Sequence, residues 1–328
     1  MGKWDRIKQY LPDWFISALF GMIVLAYLLP GIGAEGSKVE LENIIHYAIM
    51  ALFFFYGLRL KPGELTSGLK NWKLHITIQT LTFIVFPLIV LIFYPLFHNS
   101  DFYSLWLAVF FLAALPSTVS SSVVMVSIAR GNITGAIFNA SISGIIGIII
   151  TPLWMSIFLS SANSDFNFAQ TFTDLVFQIF IPITAGLFLH RFLGSWAIRN
   201  KRYLSIFDKT VILSIVYNSF SNSFLNGIFN SIPKWTLLLL GIVVISLFFT
   251  VFNIAKWISK RLNFSREEQI TVLFNGSKKS LVHGSVMASV LVGSSPLGSL
   301  FLVPIMIYHA FQLFYISIVA RKMSKEDR

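Results

Sequence analysis

Blocks of about twenty apolar residues recur along this 328-residue chain, separated by short segments in which the lysines and arginines gather. Few folds accept that pattern. The hydrocarbon core of a bilayer takes roughly 20 apolar residues of helix to cross. Candidate spans fall at 14–30, 44–60, 74–97, 105–128, 135–159, 172–192, 208–226, 235–257, 268–292 and 299–320. The seventh is the weakest, because Asn218, Ser219, Ser221, Asn222 and Ser223 make it polar. Charged residues are 12% of the chain, against about 25% in a soluble domain. With 33 Phe as well, there is too little polar surface to dress a water-soluble fold. Lys3, Arg6 and Lys8 precede the first apolar run, but no small-residue cleavage site follows at Pro30. The run at 14–30 therefore reads as a permanent helix rather than a signal peptide.

The basic residues test the count. Lysine and arginine gather in cytoplasmic loops. With ten spans and the N-terminus inside, the inside segments hold 21 of the 25 Lys and Arg, and only Lys38 and Lys234 fall outside. A miscounted helix would invert every later loop, and the alternation survives to the end. The expectation is an all-α integral membrane protein of ten transmembrane helices, probed below, with both termini cytoplasmic, in the plasma (cell inner) membrane. The net charge of +11 is then a topology signal, and the partner it implies is the lipid bilayer, not nucleic acid. The longest loop is expected at 193–207. No cysteine occurs, which excludes disulfides and thiolate chemistry.

The two halves share a pattern. Span four reads LPSTVSSSVVMVS from Leu115, and span nine reads FNGSKKSLVHGSVMAS from Phe274. Each opens on a helix-breaking polar cluster and runs into a Ser-Val-Met segment. Each is followed by a helix with an internal proline, Pro152 or Pro304. Five spans per half is an odd number, so two like halves, 1–160 and 161–328, must lie inverted to one another. Inverted repeats with interrupted helices are the architecture of many secondary transporters.

The interrupted helices carry the candidate site. Proline removes a backbone donor, and freed backbone groups inside a membrane persist only where protein or a wet cavity satisfies them. Pro116, Ser117, Thr118, Ser120, Ser121 and Ser122 surround one break; Asn275, Gly276, Ser277 and Ser280 surround the other. The plain alternative is that such small residues let helices pack closely. Matching positions in both halves favour a binding site for a small-molecule solute. Lys278 and Lys279 sharpen it. A charged side chain at the centre of a spanning helix costs at least about 2.5–3.5 kcal/mol on insertion scales, so it marks function by default. All 14 Asp and Glu fall in loops or at helix ends. The lysines must be compensated by hydroxyls and carbonyls, by loss of a proton, or by an anion from outside. On a helix the two point about 100° apart, so one should face the site and the other should snorkel along the bundle interior. His283, four residues after Lys279, lies on the same helical face, as a proton-sharing neighbour or as a packing histidine.

At these residues the chain resembles the bile acid:sodium symporter superfamily, and within it the bile-acid-symporter-like branch. The resemblance rests on Leu115-Pro116-Ser117-Thr118-Val119-Ser120-Ser121-Ser122, Ala129-Arg130-Gly131-Asn132, Phe138-Asn139-Ala140-Ser141, Thr151-Pro152 and Gly-x-x-Lys at Gly276 to Lys279, and it covers essentially the whole chain. It implies a panel unit of spans one, two, six and seven and a core unit of the rest, with spans four and nine crossing at their breaks. It also implies ion ligands among the span-four hydroxyls with Asn139 and Ser141. The sodium-coupled pattern in span nine is similar to Glu-x-Gly-x-Gln-Asn. This chain has Phe274, Lys278 and Lys279 at its polar positions. A fixed ammonium repels a bound sodium ion.

These observations converge on a secondary transporter moving a small organic anion by alternating access, without a sodium requirement; a bound sodium or proton is the remaining coupling candidate, and no other cofactor or metal is expected. No His-Glu-x-x-His zinc motif and no pair of intramembrane aspartates occurs, so an enzyme is not expected. A channel would show the same hydrophobic blocks, but two inverted broken helices favour a carrier. The other reading is a membrane regulator that keeps a transporter fold without transport. Topology is directly testable, since no native Cys interferes. In intact cells an impermeant maleimide should label Lys38→Cys and spare Asn200→Cys; equal labelling of both would overturn the ten-span count.

Overall fold

The protein is described by a computed structural model covering residues 14–60, 71–118, 120–162, 173–174, 176–227, 233–292 and 297–325. Helix is the natural state for such segments, because it satisfies every backbone group within the segment itself. In chain order the main helices are α1 (Trp14–Leu28), α2 (Leu41–Arg59), α3 (Trp72–Leu91), α4 (Tyr103–Ala114), α5 (Ser120–Ile128), α6 (Ile133–Ala162), α7 (Ile181–Arg199), α8 (Lys201–Leu225), α9 (Lys234–Arg261), α10 (Arg266–Gly276), α11 (Leu281–Val292) and α12 (Leu297–Lys325). Among the described residues no strand is present.

Among the described residues, six stretches are long and apolar enough to cross a membrane alone: Leu41–Arg59, Trp72–Leu91, Ile133–Leu159, Val176–Arg199, Trp235–Arg261 and Gly298–Lys325. The other four expected spans differ for identifiable reasons. Residues 105–128 and 268–292 are each split into two short helices, α4 with α5 and α10 with α11. The first span is a 15-residue helix followed by a turn at Pro30–Gly33. The seventh, α8, is 25 residues long but carries the polar run.

That polar run has work inside the protein. Tyr217 Oη donates to the Leu29 carbonyl at 2.7 Å, Asn218 Nδ2 to the Gly33 carbonyl at 2.8 Å, and Asn222 Oδ1 accepts from the Glu35 N–H at 2.8 Å. These side chains hold the connection between α1 and α2, so the run from Asn218 to Ser223 is buried against the protein. The basic stretch at 193–207 is not the long loop expected. Helix α7 continues to Arg199 and α8 begins at Lys201, with Asn200 alone between them. Arginines and lysines are good helix formers, and their long side chains reach solvent without leaving the helix.

Packing positions the two split helices at the centre. Helix α2 lies against α7 and α8, and α8 also packs on α1, α11 and α12. Helix α12 packs on α4, α5, α9 and α11, while α10 meets α3, α5, α6 and α9. The α2–α7 contact is a backbone-to-backbone approach. A Cβ on Gly57 would sit 2.1 Å from the Ile183 carbonyl oxygen, and one on Gly186 would sit 2.1 Å from the Phe54 carbonyl oxygen. Gly21 of α1, by contrast, faces open space. Gly57→Val and Gly186→Val should each lower thermal stability in detergent by at least about 1–3 kcal/mol, the usual cost of overpacking. Gly21→Val should be close to neutral; equal effects at all three positions would refute the contact.

Candidate functional site at the crossing of two broken helices

Helix α4 ends because Leu115 turns extended (ψ 153°) ahead of Pro116, whose ring cannot continue the hydrogen-bond ladder. In the second half, α10 ends at Gly276 and α11 starts at Leu281, so residues 277–280 form the break. This lies a few residues later than the sequence suggested: Asn275 and Gly276 are still helical, and Lys278 and Lys279 sit in the break itself. The argument that adjacent lysines point about 100° apart therefore does not apply, because there is no helix at those residues. Both ammonium groups reach the crossing, and neither snorkels.

The two breaks are bonded to each other. Ser117 Oγ donates to the Asn275 carbonyl at 2.7 Å, and the Ser280 N–H donates to the Pro116 carbonyl at 2.9 Å. The Ser117 N–H finds Ser143 Oγ of α6 at 3.0 Å. Thr118 Oγ1 lies 2.7 Å from Ser121 Oγ and 3.0 Å from Ser122 Oγ, closing the first turn of α5. Ser277 Oγ turns back to the Leu273 carbonyl, and the Ser277 carbonyl accepts from Tyr308 Oη at 2.6 Å. Pro116, Ser117, Thr118, Ser122, Asn275, Gly276, Ser277, Lys278, Lys279, Ser280 and His283 are all buried, and Ser121 is half-buried. The side chain of Ser120 lies outside the described residues.

The lysines differ in their surroundings. Lys279 Nζ donates to three carbonyls, Thr82 at 2.8 Å, Ala113 at 2.6 Å and Leu115 at 2.7 Å, and lies 4.0 Å from the centre of the Phe86 ring. Lys278 Nζ donates to Ser121 Oγ at 2.9 Å, its one hydrogen bond among the described residues. Lys278 and Lys279 are 0% and 1% exposed, so bulk solvent does not reach them. Gln312 of α12 clamps the break from the other side. Its Oε1 accepts from the Lys279 N–H at 2.9 Å and its Nε2 donates to the Lys279 carbonyl at 2.8 Å.

Two expected site residues stand elsewhere, and a third, His283, meets the break only through Ser280. His283 is in the first turn of α11, where Ser280 acts as N-cap: Ser280 Oγ accepts from the His283 N–H at 3.3 Å and lies 3.0 Å from His283 Nδ1. With Lys279 outside any helix, the two share no helical face. Asn139 is bound to α3 and its own helix instead of the crossing, through His75 Nδ1 at 2.8 Å, Gln79 Nε2 at 3.2 Å and the Gly135 carbonyl at 2.8 Å. Ser141 is half-buried, and no hydrogen bond ties it to the crossing among the described residues. Sequence reasoning missed Thr82, Phe86, Gln312 and Tyr308. Pro87 was the available signal for the first two. Phe86 N–H bonds Leu81 five residues back in a wide turn at Leu81–Val85, and Pro87 has no N–H to give, so the Thr82 carbonyl is free to turn inward.

Apolar helices able to cross a membrane, packed round a sealed polar crossing with two lysines, define a multi-pass membrane protein with its polar chemistry at the centre. The chain belongs to the SBF-like CPA transporter family, which matches residues 13–325. It is thus an integral membrane protein and a secondary transporter of that family, not an enzyme. It is similar to the Pseudomonas aeruginosa protein PA2026, 34% identical over 317 residues covering 97% of this chain and 94% of the relative. It is also similar to sodium/bile acid cotransporter 7-B of Xenopus laevis, 30% identical over 324 residues covering 97% and 93%, and to sodium/bile acid cotransporter 7 of Rattus norvegicus, 29% identical over 320 residues covering 96% and 92%.

The clamp by Gln312 gives a direct test. Gln312→Ala leaves the N–H and C=O of Lys279 buried without partners, at a cost of about 1–3 kcal/mol for each orphaned group. The variant should unfold at clearly lower temperature than wild type in detergent. Gln312→Asn, too short to reach both groups, should fall below wild type too; wild-type stability in both would show that the clamp is idle.

Proposed function

We propose that this chain is a ten-span carrier built from two inverted five-helix halves, 1–160 and 161–328. It moves a small organic anion across the plasma membrane by alternating access, with both termini cytoplasmic and without a sodium requirement. The observation that carries the reading is the Lys278 ammonium: wholly buried at the crossing, with one hydroxyl partner and no carboxylate among the described residues. An ammonium has three donors, so two remain for a ligand. An anionic group that reaches the crossing when it opens completes that shell and compensates the charge. The two chain breaks lie back to back there, which is where a transporter with interrupted helices gathers its solute. Bile acids named in the relatives are one candidate class, alongside other carboxylates and sulfates.

The absence of a sodium requirement follows from three side chains. Phe274 stands where the sodium-coupled pattern has a carboxylate, and Lys278 and Lys279 replace neutral oxygen donors. Each change removes an oxygen ligand that a hard cation needs, and the lysines add like charge.

Uptake of labelled organic anions into proteoliposomes tests this, with sodium and proton gradients imposed separately. At least one anion should accumulate equally well with sodium or choline outside. Lys278→Met should reduce that uptake by at least about tenfold, a loss equivalent to roughly 1.4 kcal/mol. Saturable sodium dependence would overturn the coupling reading. Absence of uptake, together with no anion raising thermal stability, would favour the regulator.

A further inference from the structure

The shell around Lys279 is complete. Its three oxygens are backbone carbonyls from two different elements: Thr82 in α3, and Ala113 and Leu115 at the end of α4. Each is released from its own helix for a local reason. Thr82 loses its donor at Pro87. Ala113 would accept from the Ser117 N–H in a continued helix, but that N–H is taken by Ser143. Leu115 lies in the extended turn before Pro116. The face of the Phe86 ring completes the shell, and such a ring face attracts cations.

The hydrogen-bond count favours the charged form. A neutral amine has two N–H donors and one lone pair, so a third carbonyl would face that lone pair. Three carbonyls at 2.6–2.8 Å match the three donors of an ammonium. Three inward-facing carbonyls with a ring face are also the surroundings of a small monovalent cation.

We propose that this shell is a monovalent-cation site whose resident ion is the chain's own ammonium, and that a free small cation enters it once the Lys279 side chain is shortened. Lys279 thus stands apart from Lys278: the first is a tethered ion that closes the shell permanently, the second keeps donors for a ligand. The inference deepens the sodium-independent reading by locating the cation site, and its test reads binding in detergent rather than transport. A failure here and a failure of transport are therefore separate results.

Thermal unfolding of the purified protein at constant ionic strength is the experiment, with ammonium, methylammonium, sodium or tetramethylammonium chloride added. Lys279→Ala should have a lowered Tm that rises saturably with ammonium and methylammonium and does not respond to tetramethylammonium, which is too large for the shell. Lys279→Met keeps the volume filled and should be lowered without rescue. Wild type should respond to none of them. A folded Lys279→Ala that no small cation stabilises would overturn the site, and so would equal stabilisation of wild type. If Lys279→Ala does not fold, lysine labelled with 15N at Nζ gives a second readout in the Lys278→Gln background. The remaining buried lysine should be a slowly exchanging ammonium at neutral pH; a neutral amine signal there would overturn the proposal.

Discussion

A helix interrupted away from water leaves carbonyls and N–H groups that must find partners, since each orphan costs several kcal/mol. This protein meets that constraint by setting its two interruptions against each other. Pro116 ends the ladder of α4, and its carbonyl takes the Ser280 N–H from the opposite break. Ser117 returns a bond to Asn275. What the breaks cannot give each other comes from neighbours that would otherwise be ordinary packing helices: Ser143 of α6, Thr151 of α6 to the Ala114 carbonyl at 2.7 Å, Tyr308 and Gln312 of α12. The arrangement of α3, α6 and α12 around the crossing is thus tied to a shortage of hydrogen-bond partners as well as to hydrophobic contact.

Charge enters on the same terms. Three carbonyls freed by prolines and by a diverted N–H make a negative concavity, and Lys279 fills it. The polar break and the lysine are each unfavourable alone, and each offsets the other. No carboxylate is bonded to either lysine among the described residues.

How much of this was legible in the sequence depends on the kind of signal. The apolar blocks gave the helices, because hydrocarbon thickness acts on every span alike. Pro116 and the Asn-Gly-Ser run announced the two breaks, although Gly276 ended α10 rather than starting the break, since Asn275 could remain helical while donating to the Ala136 carbonyl at 2.9 Å. The lysines stood out by cost alone. Their different roles did not, because the distinction lies in carbonyl oxygens, which every residue possesses and no sequence pattern marks. Gln312 was invisible for the same reason: its partners are the backbone atoms of Lys279. Asn139 was placed at the crossing by resemblance, and in this chain His75 and Gln79 engage it first. The polar run of α8 weakened a span on paper because hydropathy counts side chains without asking which way they face.

One junction constrains mechanics. A single residue, Asn200, joins α7 to α8, so neither helix has slack to tilt without dragging the other. Helix α2 is fastened to both: to α7 through the approach at Gly57 and Gly186, and to α8 through Arg59 Nη1 and Asp208 Oδ2 at 2.8 Å. Three helices so connected are fastened to one another at three places, and the edge this group presents to the second break is the face where α8 meets α11.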